Sequence, residues 1–479
     1  MRKTKIVATL GPATDDPDVL RAVLSAGLDV ARFNFSHGVH EEHAARIAAL
    51  RQACEEMGKT VAIMADTKGP EIRLGLFQGG RAELVSGSVF TLCVKTITGD
   101  ASRASISYDG LPGEVSPGAR ILLDDGLIEL VVESITADNV TTRVVTGGEI
   151  TDRKSVNVPG VRLELPYISA QDRADLRFFL EQEIDIIAAS FVRSADDVSE
   201  MREELHRMDS GNKIKIIAKI ENAEGVACAD AILSACDGLM VARGDLGVDV
   251  DYEDLPIIQK ELIKKASRQG KSVITATQML ESMIHAPRPT RAEASDVANA
   301  IYDGTGAIML SGETAIGKYP VESLSAMARI AERIERNIDY RQLFRRGEYK
   351  PETTVTNAIS QATVTTAHEL RAAAILTVTL SGDTARNVAK FRPICPIIAC
   401  TPDPVTMRQL KLVWGVVPLL THEEAGAVEL FSHAIESALA GGYIKKGELL
   451  VLTAGVPVGR SGTTNMLQVH VAGEKIIST

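Results

Sequence analysis

The sequence predicts an α/β protein: a parallel (β/α)8 barrel, an all-β domain inserted after strand three, and an open α/β domain at the C-terminal end. Three observations carry this reading. Eight short apolar runs recur, from "TKIVATLG" to "GAIMLSGET", most of them followed by a helical pattern. Strand–helix alternation calls for a parallel sheet, and eight such units close it into a barrel. The rhythm breaks once, for a long stretch of different texture between "ADTKGP" and "LPYISAQDRADL", and a smaller alternation follows the helix "PVESLSAMARIAERIERNI".

The first three strands are "TKIVATLG", "LDVARFNFSHG" and "VAIMADTKG", separated by the helical patterns "DPDVLRAVLSAG" and "HEEHAARIAALRQACEEMG". The break contains "AELVSGSVFTLCV", "GARILLDDGLIELVVESI" and "NVTTRVV", which alternate with period two between Gly-rich turns and read as antiparallel strands. Pro70 and Pro166 bound it. Strands four to eight are "IDIIAASFV", "KIIAKIEN", "DGLMVARGDLG", "SVITATQM" and "GAIMLSGET". The expected domains are therefore a barrel of residues 1–69 and 167–338, an inserted lid of 70–166 and a regulatory α/β domain of 339–479. An insertion of that size in a barrel loop is more often a lid or binding module than decoration.

Some motifs need only a structural explanation. Thr290 followed by Glu293 makes a capping box, Ser169 reads as an N-cap, and Pro320 stands where a helix begins.

Composition narrows the function. A chain of 479 residues exceeds one compact core, and 45% hydrophobic with 24% charged residues is ordinary for a globular protein. A net charge of −11 argues against nucleic acid and an anionic membrane surface as partners. No apolar run approaches the roughly 18 residues of a membrane helix. The six cysteines, at 54, 93, 228, 236, 395 and 400, form no CxxC pair and read as reduced thiols of a cytoplasmic protein. His37, His40 and His43 lack the carboxylate or cysteine that would complete a metal set.

The polar strand ends are where chemistry concentrates. "ARFNFSHG" alternates, with Arg32, Asn34 and Ser36 on one face and Phe33 and Phe35 on the other. At the C-terminal mouth of a barrel this polar face points into the catalytic side, and a buried arginine there needs an anion or carboxylate opposite. "IAKIEN" puts Lys219 and Glu221 on one face, readable as an interior ion pair or as a cation beside a metal-holding carboxylate. "VARGDLG" adds Asp245 behind Gly244, where free N–H groups at a helix start would suit a carboxylate or phosphate. Glu221 and Asp245, from adjacent strands, suit Mg²⁺, although the sequence does not separate Mg²⁺ from Mn²⁺. "ADTKGPEIR" brings Asp66, Thr67, Lys68, Glu71 and Arg73 to the entrance of the inserted domain, and "TATQM" offers Thr275 and Thr277 on one face.

Neither "QGKS" nor "MGKT" completes a P-loop, because Lys265 and Ala53 stand where its first glycine is required. No activated Ser or Cys nucleophile is evident. Clustered cations, a divalent-metal pair and no nucleophile suit phosphoryl transfer, which depends on positioning and electrostatics. An enolising aldolase or mutase would use similar parts, and a metabolite sensor that lost catalysis is the non-enzyme alternative.

"ATLGPAT", "ARFNFSHG", "DTKGPEIR", "KIEN", "MVARGDLG", "TATQMLESM", "PTRAEASDVANA" and "IMLSGETAIGKYP" resemble, in order, the motifs of the pyruvate kinase family, and the resemblance spans essentially the whole chain. It implies phosphate transfer from phosphoenolpyruvate to ADP, giving pyruvate and ATP. By that resemblance, Lys219 stabilises charge on the transferring phosphoryl and the enolate oxygen. Glu221 and Asp245 hold Mg²⁺, while Gly244, Asp245 and Thr277 bind the substrate carboxylate. Thr277 also serves the proton relay to the enolate methylene.

The resemblance further implies that Arg32 meets the substrate phosphate. Arg73 and Lys154 would hold the nucleotide phosphates, with Asn34 and His37 nearby. Asn34, Ser36, Asp66 and Thr67 would form a K⁺ site, and Glu71 favours K⁺ dependence. In the C-terminal domain, Thr379, Ser381, Gly382 and Thr384 resemble the family's sugar-phosphate effector loop. Asp383 and Gly441 replace arginines of bisphosphate-responsive relatives, which favours a monophosphate such as a sugar phosphate or AMP. The family's allostery implies a homotetramer.

Overall fold

The computed structural model describes residues 1–345, 353–422, 427–456 and 464–476. Eight parallel strands close a barrel in the order β1-β16-β15-β14-β13-β12-β3-β2. In chain order these are β1 (Lys5–Thr9), β2 (Val30–Asn34) and β3 (Ala62–Asp66), then the inserted strands β4 (Arg81–Leu84), β5 (Val89–Cys93), β6 (Arg103–Ser105), β7 (Arg120–Leu123), β8 (Ile128–Ile135), β9 (Asn139–Thr146), β10 (Gly148–Thr151) and β11 (Val156–Asn157). The barrel resumes with β12 (Ile186–Ala189), β13 (Lys215–Ile220), β14 (Gly238–Ala242), β15 (Ser272–Ala276) and β16 (Ala307–Leu310). All eight apolar runs become barrel strands.

Alternation along each strand sorts the side chains between two cores. Val7, Val30, Met64, Ala188, Ile217, Met240 and Ile274 fill the barrel interior, whereas Ile6, Ala31, Phe33, Ala65, Ile187 and Ala218 pack outward beneath the helices. Continuing the inward series by two residues reaches Thr9, Arg32, Asp66, Ser190 and Lys219. A polar layer therefore caps the apolar interior at its C-terminal mouth.

"ARFNFSHG" departs from its reading as a single strand through Ser36. Strand β2 ends at Asn34, whose Oδ1 accepts the Ser36 N–H at 3.1 Å and turns the chain there. An Asn side chain that satisfies backbone two residues on competes with the ladder, so the strand stops.

The insertion forms a two-stranded sheet, β10-β4, and a six-stranded sheet, β11-β7-β8-β9-β5-β6, around a core that includes Phe90, Leu92 and Leu130. The C-terminal sheet, ordered β19-β18-β17-β20-β21, comprises β17 (Ala374–Val378), β18 (Ile397–Thr401), β19 (Val416–Leu420), β20 (Leu449–Ala454) and an antiparallel β21 (Met466–Val471). Strand β19, "VVPLL", was not among the runs read from sequence. It holds Pro418, which a sheet tolerates at an edge, and β19 is the edge.

The barrel floor and the C-terminal domain are joined through charge. Arg408 Nε lies 2.7 Å from Asp185 Oδ1, and Asp185 Oδ2 accepts the Ile63 N–H at 2.9 Å. Lys5 Nζ donates to the Val416 carbonyl at 2.7 Å. The Thr290–Glu293 and Ser169–Asp172 capping boxes form, and Pro320 opens the helix Pro320–Glu335. Among the described residues no helix is long and apolar enough to cross a membrane.

Candidate active site

A cleft of about 750 Å³ opens between the barrel mouth and the inserted domain. From the barrel it takes Arg32, Asn34, Ser36, His37, Lys219, Glu221 and Asp245; from the insertion and its hinge, Lys68, Glu71, Arg73, Asp124 and Lys154. Residues distant in sequence thus meet because their strands end together.

Asp66 is the centre of the polar layer. Its Oδ2 accepts from Arg32 Nε at 2.6 Å, and its Oδ1 accepts from Lys219 Nζ at 2.9 Å and lies 3.0 Å from Ser190 Oγ. Burial acts to raise the Asp66 pKa, but Arg32 and Lys219 outweigh it and hold the carboxyl below its ordinary range. Asp66 is thus the carboxylate expected opposite Arg32, which also donates to Thr9 Oγ1 at 2.8 Å.

Lys219 Nζ further donates to Ser190 Oγ at 2.7 Å and lies 2.9 Å from Glu221 Oε1. Burial acts to lower its pKa, yet Asp66 and Glu221 prevail and keep it above the ordinary lysine value. The ammonium is therefore fixed in position and permanently charged.

Glu221 is under-compensated by comparison. Its Oε2 accepts the Phe191 N–H at 2.6 Å, whereas Oε1 is buried and, despite its closeness to Lys219, makes no hydrogen bond of acceptable geometry. Burial, then Asp245 and Asp66, push its pKa up to about 8 against the pull of Lys219. A buried carboxylate oxygen without a directed partner, facing a second carboxylate, fits a hard divalent cation that keeps water or substrate in its other positions. Among the described residues no cluster of three or more His, Cys, Asp or Glu forms a metal set.

The four oxygens proposed for K⁺ fall into two pairs. Asn34 and Ser36 face the cleft, while Asp66 and Thr67 lie buried behind them, with Asn34 and Asp66 side by side in the β2–β3 register. Thr67 Oγ1 accepts the Ser190 N–H at 3.1 Å and its carbonyl lies 2.7 Å from Ser190 Oγ. An all-oxygen set with one full negative charge fits a hard monovalent cation, which would share Asp66 with Arg32 and Lys219.

The Gly244 N–H is not free, contrary to the expectation from "VARGDLG". Thr277 Oγ1 accepts it at 2.7 Å and donates to the Ala276 carbonyl at 2.6 Å. Thr277 sits at φ +69°, a region costly for a β-branched residue, and the Arg243 guanidinium grips the Thr277 carbonyl at 2.7 Å. Asp245 lies in the first turn of the helix Arg243–Asp249.

Across the cleft, Arg73 lies 2.5 Å from Glu71 and Lys154 lies 2.7 Å from Asp124. His37 takes His43 Nε2 on its carbonyl, and His40 bonds Asp175, so these histidines brace the helix beside the cleft.

The residues expected to form an effector loop lie elsewhere, in the C-terminal domain. Thr379 Oγ1 accepts the Gly382 N–H at 2.9 Å, Ser381 Oγ donates to Asp383, and Thr384 Oγ1 accepts from Thr464. Gly382 has φ +83°, and a Cβ there would meet Arg386, which pairs with Asp383 at 2.7 Å.

Sequence reading missed Ser190, Thr9 and Asp124. Ser190 did leave a signal: it is the polar residue that ends the apolar run "IDIIAAS".

Residues 1–324 match the family model of the pyruvate kinase barrel domain, and residues 357–470 that of the pyruvate kinase alpha/beta domain. The chain is 52% identical over 475 residues to a pyruvate kinase of Geobacillus stearothermophilus, an alignment covering 99% of this chain and 81% of that one. It is 48% identical to those of Sporosarcina psychrophila, over 99% of this chain and 81% of that one, and Clostridium acetobutylicum, over 98% of this chain and 100% of that one. With both domain families matched in order and near-half identity along almost its entire length, the chain belongs to the pyruvate kinase family and is a phosphotransferase.

Proposed function

We propose that the cleft between barrel and insertion carries the transfer of phosphate from phosphoenolpyruvate to ADP, with roles divided among the residues gathered there. The supporting observation is the buried, permanently charged Lys219 ammonium, held between Asp66, Ser190 and Glu221 while Arg73 and Lys154 face the same cleft.

Arg32 binds the substrate phosphate, and Arg73 and Lys154 the nucleotide phosphates, with Asn34 and His37 beside them. Lys219 neutralises charge on the moving phosphoryl and on the enolate oxygen it leaves. Because the ammonium is prepositioned, little reorganisation is needed as charge develops. Gly244, Asp245 and Thr277 receive the substrate carboxylate, for which the Thr277 hydroxyl must release the Gly244 N–H. Thr277 then lies where a proton can be relayed to the enolate methylene. Closure of the insertion excludes water and limits hydrolysis.

Glu221 and Asp245 would hold Mg²⁺ or Mn²⁺, which when bound supplies Lewis-acid neutralisation of the reacting oxygens. Asn34, Ser36, Asp66 and Thr67 would hold K⁺. At the loop of Thr379, Ser381, Gly382 and Thr384 a monophosphate effector, a sugar phosphate or AMP, is favoured. The Asp383 carboxylate there would repel a second phosphate, and Gly441 offers no cation for one. A cytoplasmic homotetramer under allosteric control completes the reading.

Pyruvate formation from phosphoenolpyruvate and ADP with Mg²⁺, in native protein and in Lys219→Met, tests the central assignment. Loss of turnover in a folded K219M protein is expected; a rate near native would remove Lys219 from its role.

A further inference from the structure

Ser190 is 1% exposed and directly follows β12, two residues beyond Ala188, which pairs with Asp66 on β3, and one beyond Ala189, which pairs with Ala218 next to Lys219 on β13. Its hydroxyl has one proton and two lone pairs. Lys219 Nζ donates into it at 2.7 Å, and its own proton is directed at the Thr67 carbonyl, 2.7 Å away, or Asp66 Oδ1, 3.0 Å away. The Ser190 N–H holds Thr67 Oγ1 at 3.1 Å, and the following N–H, of Phe191, holds Glu221 Oε2 at 2.6 Å.

Two consecutive residues therefore tie together the ends of β3, β12 and β13. This tie has a conformational cost. Phe191 lies at φ +53°, where a bulky side chain is an outlier, and that backbone turn aims its N–H at Glu221. The turn has little room to relax. The Tyr167 hydroxyl grips the Ser190 carbonyl at 3.2 Å, and Gly69 packs so closely that a Cβ on it would lie 2.9 Å from that carbonyl.

We propose that Ser190 is the positioning residue of Lys219, and that the Ser190–Phe191 turn sets the ammonium and the Glu221 carboxylate in mutual register for phosphoryl transfer. The proposal rests on the assignment of Lys219 to the transferring phosphoryl. Asp66 Oδ1 and Glu221 Oε1 each lie 2.9 Å from Lys219 Nζ, and two equal attractions do not by themselves fix where the ammonium comes to rest between them. The neutral Ser190 oxygen supplies a third point and so determines a position. A hydroxyl can do this without adding charge, whereas a third carboxylate would draw the ammonium away from the substrate.

Ser190→Ala, Ser190→Cys and Lys219→Met are compared by steady-state kinetics against phosphoenolpyruvate and ADP, alongside thermal unfolding. Loss of one hydrogen bond to a charged group predicts that kcat falls about 10- to 100-fold in S190A, with both KM values within about threefold of native. S190C fills the same space with a poor hydrogen-bonding atom and should fall similarly, and it decides the matter if S190A does not fold. A kcat within about threefold of native in either folded variant, or a loss expressed mainly in KM, overturns the proposal. K219M reports separately: if it retains turnover, the Lys219 assignment itself fails, whatever Ser190 does.

Discussion

The Asp66 carboxylate holds both strand-end cations at once, with Oδ2 2.6 Å from Arg32 Nε and Oδ1 2.9 Å from Lys219 Nζ. The three groups are nearly inaccessible to solvent, so their charges can be carried only as a set. Removing one charge from such a set strands the others in low dielectric.

Asp66→Asn is therefore expected to cost about 3 kcal/mol of stability, seen as a lower apparent unfolding temperature, and to abolish most turnover. The amide keeps the shape but leaves two cations against Glu221 alone. An unfolding temperature equal to native would mean that Thr9, Ser190 and Glu221 suffice for Arg32 and Lys219.

The cations on the insertion side should separate the two substrates kinetically. Arg73 and Lys154 are partly exposed and paired with Glu71 and Asp124, on the insertion side of the cleft, away from the Arg32–Asp66–Lys219 layer. Arg73→Ala or Lys154→Ala should raise the KM for ADP about tenfold or more while the KM for phosphoenolpyruvate changes little. A parallel rise in both would place these side chains on the shared phosphoryl position instead.

The barrel was legible because its strands are buried on both faces and read as apolar runs, and because charged and polar residues gather at the ends of those runs. Arg32, Lys219 and Glu221 were legible for the same reason, since charge at the end of a buried strand needs an explanation. Ser190 was harder to see: a serine ending an apolar run is ordinary, and its importance lies in contacts made across two neighbouring strands. The engagement of Gly244 N–H by Thr277 was equally hidden, because it depends on a left-handed backbone at Thr277 that no residue type there announces. Strand β19 escaped because Pro418 argues against a strand until the strand is known to lie at an edge.

The joint between barrel and C-terminal domain should be sensitive to pH through Lys5. Burial comes first and holds its pKa at about 8, with Asp29 opposing and Lys411 and Arg2 assisting, against an ordinary 10.5. The native state binds this proton less tightly than the unfolded chain does. The buried ammonium therefore costs about 3 kcal/mol below pH 8, and the cost fades as pH rises from about 8 to 10.5. Any gain in apparent unfolding temperature from Lys5→Met should be greatest below pH 8 and shrink across that window. A difference that stays constant with pH would contradict it.

Potassium provides the sharpest test of the polar face of β2. Asn34 and Ser36 open on the cleft, Asp66 lies beside Asn34 in register, and the substrate phosphate bound by Arg32 would bring more negative charge to the same place. Arg32 already spends much of its field on Asp66, so a second cation is needed there to balance a phosphate. Pyruvate formation in KCl should exceed that in tetramethylammonium chloride at equal ionic strength by more than about tenfold, since the larger ion cannot enter an oxygen-lined site. Glu71, 2.5 Å from Arg73, keeps a negative charge in the cleft that a bound cation would offset. Glu71→Lys would reverse that charge and release Arg73, so the gap between the two salts should narrow in this variant. Equal native rates in both salts would leave the phosphotransfer reading intact and take the cation role away from Asn34, Ser36, Asp66 and Thr67.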